Sequence, residues 1–151
     1  MALFIADLTI SSPDFDALER MPDRFSADGG NERPTIEFSG APEGTVELAL
    51  IVHDPDAPLP NGFTHFVVYG IRADATSLDL DAEGVRVGPM TMGEHAWSGP
   101  QPPAGHGEHH YYFWIYALDS SVEGTPTREE FLSGYADNVI EQARYVGLYS
   151  S

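Results

Sequence analysis

The run His109–Leu118 constrains the fold more than any other stretch of this chain: His-His-Tyr-Tyr-Phe-Trp-Ile-Tyr-Ala-Leu. Aromatic and β-branched side chains crowd a helix but fit a pleated surface, so the run predicts a strand. Successive side chains of a strand alternate sides. His109 therefore shares a face with Tyr111, Phe113 and Ile115, while His110 lies opposite with Tyr112, Trp114 and Tyr116.

A strand needs partners, and two more runs supply them. Val46 to His53 contains Leu48-Ala49-Leu50-Ile51-Val52, which suits a strand buried on both faces. Asp54-Pro55-Asp56-Ala57-Pro58 ends it, because Asp and Pro favour turns. Phe63 to Ile71 is the next strand, and Gly84 to Gly88 predicts a short edge strand. The first forty residues alternate short apolar pieces with turn residues, and Ala41-Pro42-Glu43-Gly44 is a turn. Pro89 to Gly107 is a long loop carrying Trp97, Met90 and Met92, which are read as packing residues. Helix comes late. Thr127-Arg128-Glu129-Glu130 is a capping box, and Val139, Ile140, Ala143 and Val146 fall at helical spacing. The expectation is one mainly β domain over residues 1–151, with one or two C-terminal helices.

Charge narrows the function. Twenty-four acids face seven bases, giving a net charge of −17, and every base is arginine. Binding nucleic acid by phosphate neutralisation needs a basic face, which this chain lacks. No apolar stretch reaches the length of a membrane span, so no membrane insertion is expected. Met1-Ala2-Leu3-Phe4-Ile5 has no basic n-region, and no cysteine is present for disulfides or thiolate chemistry. A cytoplasmic location follows as the expectation. With 42% hydrophobic residues the chain is too apolar for an acidic disordered tail. Dispersed acids without lysine suggest a folded domain from a high-salt cytoplasm, where screening at molar salt shortens charge repulsion to about 3 Å.

Candidate chemistry gathers at the strand ends. His65 and His109 stand at the mouths of apolar runs, Tyr111 shares a face with His109, and Asp54 and Asp56 end a third strand. Such donors on an apolar floor suit one phosphate, carboxylate or similar oxyanion. A neighbouring carboxylate would favour the imidazolium form of these histidines. Asp56 is read as shaping the turn, Asp54 as a pocket residue. His106-Gly107-Glu108-His109-His110 contains metal-ligand types but not the spacing that puts two ligands on one helix face, so no metal and no cofactor are expected.

Asp54-Pro55-Asp56-Ala57-Pro58, Thr64-His65-Phe66 and Gly99-Pro100-Gln101-Pro102-Pro103 leading to His109-His110-Tyr111 together resemble the phosphatidylethanolamine-binding protein family. The branch most similar is that of the bacterial and archaeal Raf-kinase-inhibitor-like proteins. The resemblance runs from about Thr9 to Tyr149. It implies a large antiparallel sheet packed on a smaller one, and a shallow anion pocket. By similarity Asp54, Pro58, His65, Gly99, Pro100, His109 and Tyr111 bind the ligand and Asp56 structures the pocket, with the Ala57–Pro58 bond a candidate for cis. The sequence departs from the family pattern at His110, where an arginine is usual, at Gln101, and at Met90-Thr91-Met92-Gly93.

These readings predict a non-catalytic binding protein, not an enzyme. The expected partner is a small phosphorylated or carboxylated molecule. A protein kinase or other signalling protein is a further candidate partner, and the chain is expected to be a monomer or homodimer. Two alternatives stay open: a hydrolase using His65, His109 and Asp54, and a surface-acting inhibitor or scaffold with a vestigial pocket.

Overall fold

A computed structural model describes residues 7–151; the expectation about a signal sequence falls on Met1–Ile5, outside the described residues. The runs read as strands form β3 (Glu47–Asp54), β4 (Phe63–Ile71) and β6 (His109–Leu118), and the edge expected near residue 86 is β5 (Arg86–Val87). Two three-residue strands, β1 (Thr9–Ser11) and β2 (Glu37–Ser39), come from the turn-rich first forty residues. With β7 (Val139–Tyr149), the large sheet has the order β5-β4-β3-β6-β7, and all its neighbours are antiparallel. β1 and β2 form a separate antiparallel pair.

The inner face of the large sheet presents Leu48, Leu50, Val52, Phe66, Val68, Phe113 and Ile115. They pack on Ile10 and Phe38 of the small sheet and on Phe15, Met21, Phe25 and Ile36 from the loops. The outer face carries Ala49, Ile51, Val67, Tyr69 and Leu118, covered by Val122 and by Phe131 of helix α1 (Arg128–Tyr135). Burial on both sides is what a continuous run such as Leu48–Val52 requires, because neither face has a polar side chain to offer water. Helix α1 starts where the capping box predicts: the Thr127 hydroxyl accepts from the Glu130 N–H, and the Glu130 carboxylate accepts from the Thr127 N–H.

The second expected helix is a strand. Val139 to Tyr149 pairs with β6 from Leu118↔Val139 to His109↔Tyr149, and a single turn of 3-10 helix, Ala136–Asn138, is all that separates it from α1. Four apolar residues at helical spacing carried too little information against this ladder. The alternation was hidden by Glu141, a carboxylate on the buried side that accepts the Leu8 N–H. Along its outer edge β7 meets the segment before the first 3-10 turn. The N–H groups of Leu18 and Met21 donate to the Val146 and Leu148 carbonyls, and the Leu148 N–H donates to Glu19.

Among the described residues no helix is long and apolar enough to cross a membrane.

Candidate functional site

Antiparallel pairing brings the end of β3 and the starts of β4 and β6 to one rim of the sheet. The rim holds a cavity of about 260 Å³, lined by Asp54, Ala57, Pro58, Leu59, Phe63, His65, Ser98, Gly99, Gln101, Pro102, Pro103, His109 and Tyr111. That is room for a small head group rather than a large ligand. Prolines, Phe63 and Leu59 make most of its wall apolar.

Asp54 organises the polar side. One carboxylate oxygen accepts the Asp56 N–H at 2.8 Å and closes the turn, and the other accepts from His109 Nδ1 at 2.7 Å. Asp54 and His109 are almost wholly buried. Both carboxylate oxygens are thus committed to protein donors. The imidazole's other nitrogen, Nε2, lies 2.6 Å from Nδ1 of His106.

His65 donates from Nδ1 to the Ser98 carbonyl at 2.6 Å, and its ring meets the Tyr111 ring edge-on with centroids 5.2 Å apart. Burial pushes its pKa down to about 4, against the opposing effects of the Ser98 carbonyl and Asp54. At neutral pH His65 is therefore an uncharged ring that presents the Nε2 lone pair. This corrects the expectation of an imidazolium at His65: desolvation outweighs the carboxylate. Burial likewise raises the Tyr111 phenol far above its usual range, so Tyr111 remains an O–H donor.

Of the ligand-binding residues expected from sequence, Asp54, Pro58, His65, Gly99, His109 and Tyr111 line the cavity together. Pro100 does not. Its carbonyl accepts the Ala27 N–H at 2.9 Å, which turns the residue into the protein behind the wall. The bond before Pro58 is not cis, since every described peptide bond is trans. Trans is the lower-energy form, and the turn closes without isomerisation through Asp54 and a 2.7 Å bond from the Leu59 N–H to the Ala57 carbonyl. Asp56 acts outside the cavity, its carboxylate accepting from the His110 N–H and from His110 Nδ1, both at 2.8 Å.

Two contributors escaped the sequence reading. The Asn31 side chain accepts the Gly99 N–H at 2.7 Å and so braces the loop wall. Gly99 must be glycine here because a Cβ would fall 2.0 Å from the Phe25 carbonyl oxygen. The Asn31 backbone is left-handed, with φ 54°, a conformation that Asn tolerates; the Asp28-Gly29-Gly30-Asn31 turn was its one trace in the sequence. His106 was noted as a metal-ligand type, not as a partner for His109. Among the described residues no group of three or more His, Asp or Glu is placed to hold a metal ion.

Residues 11–150 match the phosphatidylethanolamine-binding protein family. The chain belongs to that family. Within the phosphatidylethanolamine-binding proteins it is 34% identical to a UPF0098 protein of Aquifex aeolicus over 95% of this chain and 89% of the relative. A UPF0098 protein of Methanothermobacter thermautotrophicus is also 34% identical, over 89% and 93%. Escherichia coli YbcL, whose crystal structure is described as that of a member of the mammalian family, superposes with a TM-score of 0.89 at 28% identity, covering 97% of this chain and 99% of that one. The family homolog CT736 of Chlamydia trachomatis gives a TM-score of 0.85 at 30% identity, covering 96% and 98%.

Proposed function

We propose that the chain is a non-catalytic binding protein whose pocket captures the oxyanion end of a small phosphorylated or carboxylated molecule. One observation carries the reading: the Asp54–His109 pair, His65 and Tyr111 converge on one small cavity with an apolar wall. The Tyr111 hydroxyl is a donor for an oxyanion oxygen, and Asp54 fixes the orientation of the His109 ring through Nδ1, leaving Nε2 for the ligand. His65 presents an acceptor, which a singly protonated phosphoryl group satisfies with its own P–OH. Phosphate monoesters thus complement the site better than carboxylates. A phosphorylated side chain on a signalling protein, a kinase among them, offers the same chemistry.

A hydrolase would need a nucleophile held by a base. Among the described residues no hydroxyl is hydrogen-bonded to His65 or His109, and the partners of both rings are a carbonyl, a carboxylate and a third imidazole. The acidity fits work in a high-salt cytoplasm. A protein of charge −17 repels anions at low salt, and at molar salt that long-range repulsion is screened to about 3 Å.

The test is an NMR titration at molar KCl with phosphate, phosphoethanolamine and phosphotyrosine, followed by assay for product. Saturable shifts at His65, His109 and Tyr111 without turnover are expected, with affinity holding or rising as KCl increases. Product that disappears in His109→Ala would replace this reading with the hydrolase.

A further inference from the structure

On the oxyanion reading of the pocket, the group best placed to meet the ligand is already taken. His109 Nδ1 is bonded to Asp54, which leaves Nε2 as its one nitrogen for anything in the cavity. That nitrogen lies 2.6 Å from Nδ1 of His106, with the two ring centroids 4.8 Å apart. A ring nitrogen has a single in-plane hydrogen-bonding direction, so an imidazole and an oxyanion cannot share it.

The two partners differ in how firmly they are held. His109 sits in β6 and is 2% exposed, whereas His106 is exposed on the loop before it. Gly105 and Gly107 flank His106 at φ +78° and +84°, and a Cβ at either would meet nothing within 4 Å. The His106 N–H donates to the Pro103 carbonyl at 3.1 Å, and the ring's hydrogen bond is the one to His109. A side chain on an open loop between two residues in left-handed backbone can swing away at the cost of one hydrogen bond.

We infer that His106 is an internal latch: its ring occupies the ligand's place on His109, and an oxyanion binds by displacing it. The ligand then pays for opening, and the apparent dissociation constant is the intrinsic one divided by the fraction of open molecules. His106 thereby raises the threshold for binding without touching the bound ligand.

The experiment compares inorganic phosphate binding to the wild-type chain and to His106→Ala at molar KCl, following the His109 and Tyr111 resonances. His106 is exposed, so its removal leaves the core intact. His106→Ala is expected to bind phosphate about fivefold more tightly, the population factor of one ordinary hydrogen bond. Unchanged or weaker binding by the variant, with phosphate still bound by the wild type, overturns the latch and leaves the oxyanion pocket standing. Absence of binding by both proteins overturns the oxyanion reading itself, and the latch with it.

Discussion

Two histidine–aspartate pairs stand side by side in this molecule, made from neighbouring residues and nearly identical in geometry. His109 meets Asp54 at 2.7 Å, with side chains 2% and 3% exposed. His110 meets Asp56 at 2.8 Å, with side chains 45% and 41% exposed. Strand alternation sends the two histidines to opposite faces of β6, and one turn supplies both acids. The buried pair faces the cavity, while the exposed pair ties the turn to the strand. The same two residue types thus do different work according to which face they reach. In water an exposed pair gains little and is screened further by salt, whereas a buried charge that loses its partner is costly.

Removing the inner acid is the sharpest way to break that contrast. Asp54→Ala should cost about 2–3 kcal/mol by chemical denaturation, since it leaves the buried His109 Nδ1 and the Asp56 N–H without their acceptor, and phosphate binding should vanish. A loss no larger than that of Asp56→Ala would show that burial does not separate the pairs. Next come the buried histidines that have no carboxylate bonded to them. Burial holds His65 and His53 neutral, with pKa values down to about 4 from 6.5. The unfolded chain takes up these protons first as pH falls through 6.5. Their contribution to stability is therefore complete above that pH and is lost on the way down to about 4. Each ring should add at most about 1.4 kcal/mol per pH unit to the slope of unfolding free energy. His65→Gln should flatten that slope, and an unchanged slope would refute the neutral ring.

Smaller effects belong to the outer pair. Asp56→Ala should cost about 1 kcal/mol, mostly through the His110 N–H that loses its acceptor, and should leave phosphate affinity within twofold of wild type, about the noise of a titration. His110→Ala should change denaturation by no more than about 0.5 kcal/mol, and less at molar salt. A large effect of either substitution on binding would place the exposed pair in the site after all.

The parts legible from sequence were those whose signal is local. β4 and β6 begin and end where their aromatic and β-branched runs do, and Asp54, His65, His109 and Tyr111 follow from strand ends and alternation. β7 was illegible because its buried Glu141 broke the apolar pattern in favour of a helical one. Asn31 bracing Gly99 is a contact across 68 residues of chain, beyond any spacing argument. The protonation of His65 turned on depth, which a list of neighbouring acids does not give. Asp56 was read as shaping the turn, yet it is the Asp54 carboxylate that accepts the Asp56 N–H, while the grip of Asp56 on His110 depends on where β6 begins relative to that turn.

The segment Leu18–Met21, lying along the outer edge of β7, bears on how such molecules stay apart. In a medium salty enough to suppress their mutual repulsion, unpaired strand edges invite the chain-to-chain zippering that ends in amyloid. Glu19 and its neighbours already use the backbone groups at Val146 and Leu148. A strand from another molecule finds that stretch of the rim filled, so this safeguard against aggregation is written in the backbone and does not fade as salt rises.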